Sequence, residues 1–145
     1  IKSIVFYSIF ITINTNCADI VMACITVNEG RAKLVSFSDT YYNAAQKLIV
    51  KSNDDKFNSC KTKEDVEKLL NGLDKSVKIG VQSGTTGNSY VKGDEDFDFK
   101  GLKAQAVGYT NGSLAVTAML NGDVDYVMID EAPADCITKA VNKLR

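Results

Sequence analysis

Three features of this 145-residue chain could do binding chemistry: a hydroxyl-rich glycine loop, an arginine and an aspartate. In GVQSGTTGNSYV, from Gly80 to Val91, the apolar Ile79 and Val81 lead into small residues before apolar ones resume. That order predicts a buried strand, a tight loop and a helix start. Ser83, Thr85 and Thr86 carry hydroxyls, Gly84 and Gly87 let the backbone come close, and the first N–H groups of a helix lack partners within it. A carboxylate or phosphate suits such a loop, although the same pattern also serves as a plain strand-to-helix connection. No lysine follows Gly87, which speaks against a nucleotide phosphate loop. Arg31 could hold a carboxylate with its two-pronged guanidinium, or sit as a solvated helix residue. Asp130 ends the apolar run Val124 to Ile129 and could take an ammonium, or cap the helix that follows. One cation, one anion loop and one carboxylate make a set that fits a zwitterion.

Composition removes several alternatives. The chain has no histidine, so Ser-His-Asp and Cys-His nucleophilic catalysis and His-based metal sites are excluded. A formal net charge of -1 offers no bulk attraction to nucleic acid or to an anionic membrane surface. Cys17, Cys24, Cys60 and Cys136 show no zinc spacing and read as free buried thiols, with one disulfide as the other reading. Asp94, Asp96 and Asp98 imitate the start of a calcium loop, but Phe99 and Gln105 occupy the places of its glycine and glutamate, leaving a solvated acidic loop. No metal and no cofactor is expected.

The elements that must position these residues follow from periodicity and punctuation. IKSIVFYSIFITI has Phe6, Ile9, Phe10 and Ile13 at helical spacing, yet its β-branched residues favour a strand, so the two signals conflict. Ala18 to Ala23 reads as a short buried strand, and Thr26 to Glu29 as a capping box opening a turn that ends near Leu34. Tyr41 to Val50 reads as extended and largely buried. Thr62 to Leu70 has the marks of a capped helix stopped at Gly72. Ala104 to Tyr109 and Val124 to Ile129 read as strands, Ser113 to Leu120 as a helix, and Pro133 suits the first turn of a last helix. Alternating strand and helix predict an α/β fold with a parallel sheet, whose ligands gather at the carboxyl ends of strands.

The stretches ADIVMACITVNEGRAKLVSFSDTYY, QKLIVK, KTKEDVEKL, VKIGVQSGTTGNSY and NGDVDYVMIDEAPAD, in that order, resemble the amino-acid-binding extracellular solute-binding proteins of ABC importers, family 3, with the type II periplasmic binding-protein fold. The likeness covers nearly everything from Ile9 to about Ala140. It implies that Cys24, Thr26 and Arg31 stand where that family has a small residue, a hydroxyl and its carboxylate-binding arginine. Cys24 departs from the family's Gly or Ser there. The resemblance further implies that Thr85 and Thr86 are the loop hydroxyls, that Gln82 and Ser83 line the site, and that Asp130 binds the ligand ammonium.

It also implies an organisation: residues 1–38 as part of lobe one, and residues 39–145 as a crossover strand with lobe two, hinged at Asp39 to Tyr42. The expected function is binding of a free amino acid, without chemistry, for a membrane permease outside the cytoplasm; a membrane anchor on the full-length protein is left open. The alternatives are a sensor or glutamate-receptor-like ligand core, a dehydratase on the same scaffold, and a fragment that only self-associates. Exposed apolar faces of Ile4, Phe6, Ile9 and Phe10 favour a homodimer through residues 1–13 or 37–50.

Overall fold

The computed structural model describes residues 3–144; residues 1, 2 and 145, with which the expected segments 1–13 and 39–145 begin or end, lie outside them. The conflict near the start resolves as a helix: a 3-10 turn at Phe6–Ser8 runs into α1, Ile9–Asn14. Helical spacing wins because it puts Ile9 on one face, and Ile9 is buried with 2% exposure. The expected exposed face of Ile9 is thereby corrected. α2 is a single turn, Glu29–Ala32. Its N-cap is Asn28, whose side chain accepts from the Arg31 N–H, and not Thr26 as the capping-box reading had it.

Four strands form one sheet in the order β1-β4-β2-β3: β1 Gln46–Ile49, β2 Lys78–Gln82, β3 Gln105–Tyr109 and β4 Tyr126–Asp130. β2 runs parallel to both β3 and β4, whereas β1 pairs antiparallel with β4, so the sheet is mixed where a parallel one was expected. The helices α3 (Lys63–Gly72), α4 (Thr86–Lys92), α5 (Gly112–Asn121) and α6 (Glu131–Lys143) cover its two faces. Because side chains alternate along a strand, Val127 and Ile129 join the α5 and α6 core with Ala115 and Met119. Tyr126 and Met128 join Leu70, Ile79, Val81 and Val91 on the other face. With both faces covered, YVMI has to be apolar throughout.

Local signals account for the helix ends. Thr62 and Asp65 make a complete capping box on α3, Asn111 caps α5 by accepting from the Leu114 N–H, and Gly122 ends α5 at φ 89°, a conformation glycine adopts without strain.

Three further expectations fail in the described residues. Ala18 to Ala23 is no strand: no strand pairs with it, and Ile20 and Met22 are 84% and 85% exposed. Apolar content alone does not make a strand where no ladder partner is at hand. Of Tyr41 to Val50, only residues 46–50 are covered, and Tyr41 and Tyr42 face solvent. The thiols are free, but Cys17, Cys24 and Cys136 are exposed and Cys60 is half-buried, so burial was the wrong half of that reading.

Candidate functional site

Parallel β2, β3 and β4 end at one edge of the sheet, and antiparallel β1 begins there. Gln82, Tyr109, Asp130 and Gln46 therefore share that edge. The loop after β2 folds as its small residues dictate. Gly84 takes φ 79°, the Thr85 hydroxyl donates to the Gln82 carbonyl at 2.8 Å, and α4 starts at Thr86. Ser83 is tied to β3, its N–H donating to the Tyr109 carbonyl at 2.9 Å.

Arg31 arrives from α2 and lies across this loop. Its Nη1 donates to the Thr26 carbonyl at 2.7 Å and its Nη2 to the Gly84 carbonyl at 3.1 Å. The Thr86 hydroxyl donates to the Thr26 hydroxyl at 3.0 Å, so the two segments meet at two points. Arg31 is only 9% exposed, and its guanidinium carbon stands 5.1 Å from the Phe97 ring centre and 5.9 Å from that of Phe10. Burial pushes its pKa down, while the charges of Asp94 and Asp130 push back. No carboxylate of the described residues is within ion-pairing distance of it.

Asp130 occupies the N-cap position of α6 yet makes no cap bond with its side chain. Its carboxylate instead accepts from the Gln46 side-chain amide. Two clefts meet at Thr26. One, of about 350 Å³, lies between residues 24–27 and 37–44. The other, of about 710 Å³, runs past Gln46 and Thr86 to Phe97 and Phe99.

The expected site residues thus divide. Thr26, Arg31 and Thr86 are brought together, and Asp130 is near enough for its charge to act on Arg31. Thr85 is buried with its hydroxyl turned onto the loop's own backbone. Gln82 is half-buried and borders a separate hollow against residues 3–23, while Ser83 sits against Gly108. Cys24 lines the smaller cleft with Thr26, but away from Arg31's contacts: it is exposed, takes φ 48°, and its N–H donates to the Tyr41 hydroxyl at 3.0 Å.

Two participants were not foreseen. Gln46 is a polar residue opening an apolar strand, a signal present in the sequence. Phe97 belongs to the acidic loop read as merely solvated. That loop packs so closely on α2 that a side chain at Gly30 would collide with the Asp96 carboxylate.

Comparison with known proteins points the same way. Over 128 residues the chain is 27% identical to a probable histidine-binding protein of Neisseria gonorrhoeae, covering 86% of this chain and 41% of the relative. It is 29% identical over 114 residues to the glutamine-binding protein of an ABC transporter of Bacillus subtilis (strain 168), covering 79% of this chain and 36% of that one. Among solved structures, an ancestral amino-acid-binding protein, a precursor of cyclohexadienyl dehydratase, superposes with a TM-score of 0.78 at 29% identity over 97% of this chain and 56% of the other. An ancestral arginine-binding protein bound to arginine gives 0.76 at 32% identity, over 96% and 55%. The chain therefore spans less than half the length of these curated relatives and just over half of these structures. Residues 1–92 match the bacterial extracellular solute-binding proteins, family 3, and the chain belongs to that family.

Proposed function

We propose that this chain carries most of an amino-acid-binding cleft, as the solute-binding component of an ABC importer working outside the cytoplasm. The observation that carries this reading is Arg31: a buried guanidinium with no carboxylate partner in the described residues, laid over a loop of hydroxyls. An unpaired buried charge is costly unless an anion arrives to meet it. A ligand carboxylate would take the guanidinium in bidentate fashion with the Thr26 and Thr86 hydroxyls beside it, and Asp130 would take the ammonium. Residues 1–38 then belong to the first lobe and residues 39–145 to the crossover and second lobe, with the cleft between them and the hinge at Asp39 to Tyr42. Nothing in this arrangement calls for bond-making, and the relatives are binding proteins.

The test is calorimetry and thermal shift of the chain with L-arginine, L-glutamine and L-histidine. At least one should bind and raise the melting temperature, and the matching amine without a carboxylate should not. Equal binding of the amine would refute the role given to Arg31.

A second reading has its own observation. Ile20 and Met22 stand almost fully exposed on a segment without a ladder partner, a surface that a second copy of the chain could cover. Light scattering at micromolar concentration should then show a dimer that Ile20→Lys and Met22→Lys together convert to monomer. A wild-type monomer would end this reading.

A further inference from the structure

Gln46 faces Asp130 directly across the antiparallel β1–β4 pair. Its side-chain amide donates to Asp130 Oδ1. Its own Oε1 is buried and has no partner among the described residues. These two facts are connected. Flipping the amide would turn Oε1 onto a carboxylate oxygen, acceptor against acceptor, so the charge of Asp130 dictates the orientation and the orphan oxygen is its consequence. The same Oε1 lies over the first turn of α4, where a Cβ at Gly87 would stand 2.7 Å from it. Gln46 thus touches the carboxylate on one side and the anion-loop helix on the other.

We propose that Gln46 is the positioning residue of the ammonium subsite: it fixes one oxygen of Asp130 from the facing strand, so that the other is presented to the ligand. This rests on the amino-acid reading above. Asp130 makes no cap bond to α6, and among the described residues the Gln46 amide is the one side-chain group that hydrogen-bonds its carboxylate. Freed from Gln46, the carboxylate would turn broadly about χ2 and exchange χ1 rotamers, and part of the ligand's binding would be lost to that freedom. Gly87 enters for the same reason: only a residue without Cβ leaves the Gln46 amide its place.

Two measurements on the full chain test this. Without ligand, the Gln46 side-chain amide resonances, identified by their loss in Gln46→Met, should move in Asp130→Asn while core resonances stay. With L-arginine, L-glutamine and L-histidine as probes, Gln46→Met should weaken binding at least about fivefold at unchanged urea midpoint, and should add nothing further in an Asp130→Asn background. Gly87→Ala should shift the Gln46 amide resonances too. Equal affinity in Gln46→Met, or losses that simply add in the double variant, would overturn the proposal. If the wild-type chain bound none of the three, the amino-acid reading would fall. The amide resonances would still decide whether Gln46 holds Asp130, since indifference to Asp130→Asn would refute the tether by itself.

Discussion

Replacing Arg31 by methionine separates its binding role from any structural one. The side chain makes two charge-assisted hydrogen bonds, at 2.7 Å to Thr26 and 3.1 Å to Gly84, and such bonds contribute about 1.5 to 3 kcal/mol each. It also stands against Phe97 and Phe10, where a desolvated cation–π contact contributes about 2 kcal/mol. Against these gains, an unpaired guanidinium is held at 9% exposure, and desolvation costs several kcal/mol for an ion so placed. Methionine restores the apolar volume and the aromatic contact, and the Gly84 carbonyl, in an exposed residue, can turn to water. The terms nearly cancel, so Arg31→Met should change unfolding free energy by less than about 2 kcal/mol. Affinity has no such cancellation. Losing the cation that meets a desolvated carboxylate should weaken binding by about 2 to 5 kcal/mol, or roughly 30-fold to a few thousand-fold. Arg31→Lys, which keeps the charge but not the fork, should fall between, with a loss of at least about tenfold. Urea unfolding followed by circular dichroism gives the first quantity and calorimetry with L-arginine, L-glutamine and L-histidine the second. Loss of folding by more than about 4 kcal/mol would make Arg31 a structural pin, and unchanged affinity would remove it from the carboxylate site.

Asp130→Asn should weaken amino-acid binding by about 2 to 4 kcal/mol with little change in unfolding, because the side chain caps nothing; calorimetry beside urea unfolding checks both halves. Asp65 accepts from the Lys61 and Thr62 N–H groups, which hold its carboxyl below the ordinary range. Its contribution is therefore complete above the unfolded value of about 3.9 and is lost as pH falls through the lower folded one, so the stability gap between wild type and Asp65→Asn should close on acidification, as melts at pH 6 and pH 3 would show. Gly122→Ala, at φ 89° with open space around it, should cost about 1 to 2 kcal/mol. Gly101→Ala should cost more, about 2 to 5 kcal/mol, because φ 76° is joined by a Cβ only 2.7 Å from the Lys92 carbonyl oxygen; the reverse order in urea midpoints would contradict the backbone geometry.

What was legible in the sequence was local. The α3 capping box, the Gly122 stop, the small-residue loop and the apolar strand before Asp130 all depend on residues a few places apart, and all are present. The antiparallel β1 was hidden because strand direction depends on where a connection leads and not on the strand's own residues. Ala18 to Ala23 misled because a run of Ile, Val and Met states that a surface is apolar without supplying the ladder to pair with it. Asn28 outranked Thr26 as the cap because only its side chain reaches the Arg31 N–H, three residues on. Arg31, Thr86 and Asp130 were visible as chemistry, but that Arg31 would spend two donors on carbonyls follows only from the folded path.

Those two donors bear on how the site could work. The portion carrying Arg31 is joined to the β2 loop by Arg31 to Gly84 and by Thr86 to Thr26, both at the proposed carboxylate position. A bound carboxylate would therefore compete for the bonds that now draw the two segments together, and would replace a guanidinium–carbonyl contact by a bidentate guanidinium–carboxylate one in which both partners are charged. Occupancy and closure become one equilibrium, since a ligand favours whichever arrangement gives it the better contacts. A chain held shut by these two joints should accordingly lose affinity to that competition, by the fraction of molecules in which the guanidinium is free. Thr86→Val removes one of the two joints while keeping shape, and removes one ligand contact as well. If closure is set by these joints, the variant should bind L-arginine, L-glutamine or L-histidine with a faster association rate as well as a faster dissociation rate; a change confined to dissociation would mean that Thr86 serves the ligand alone.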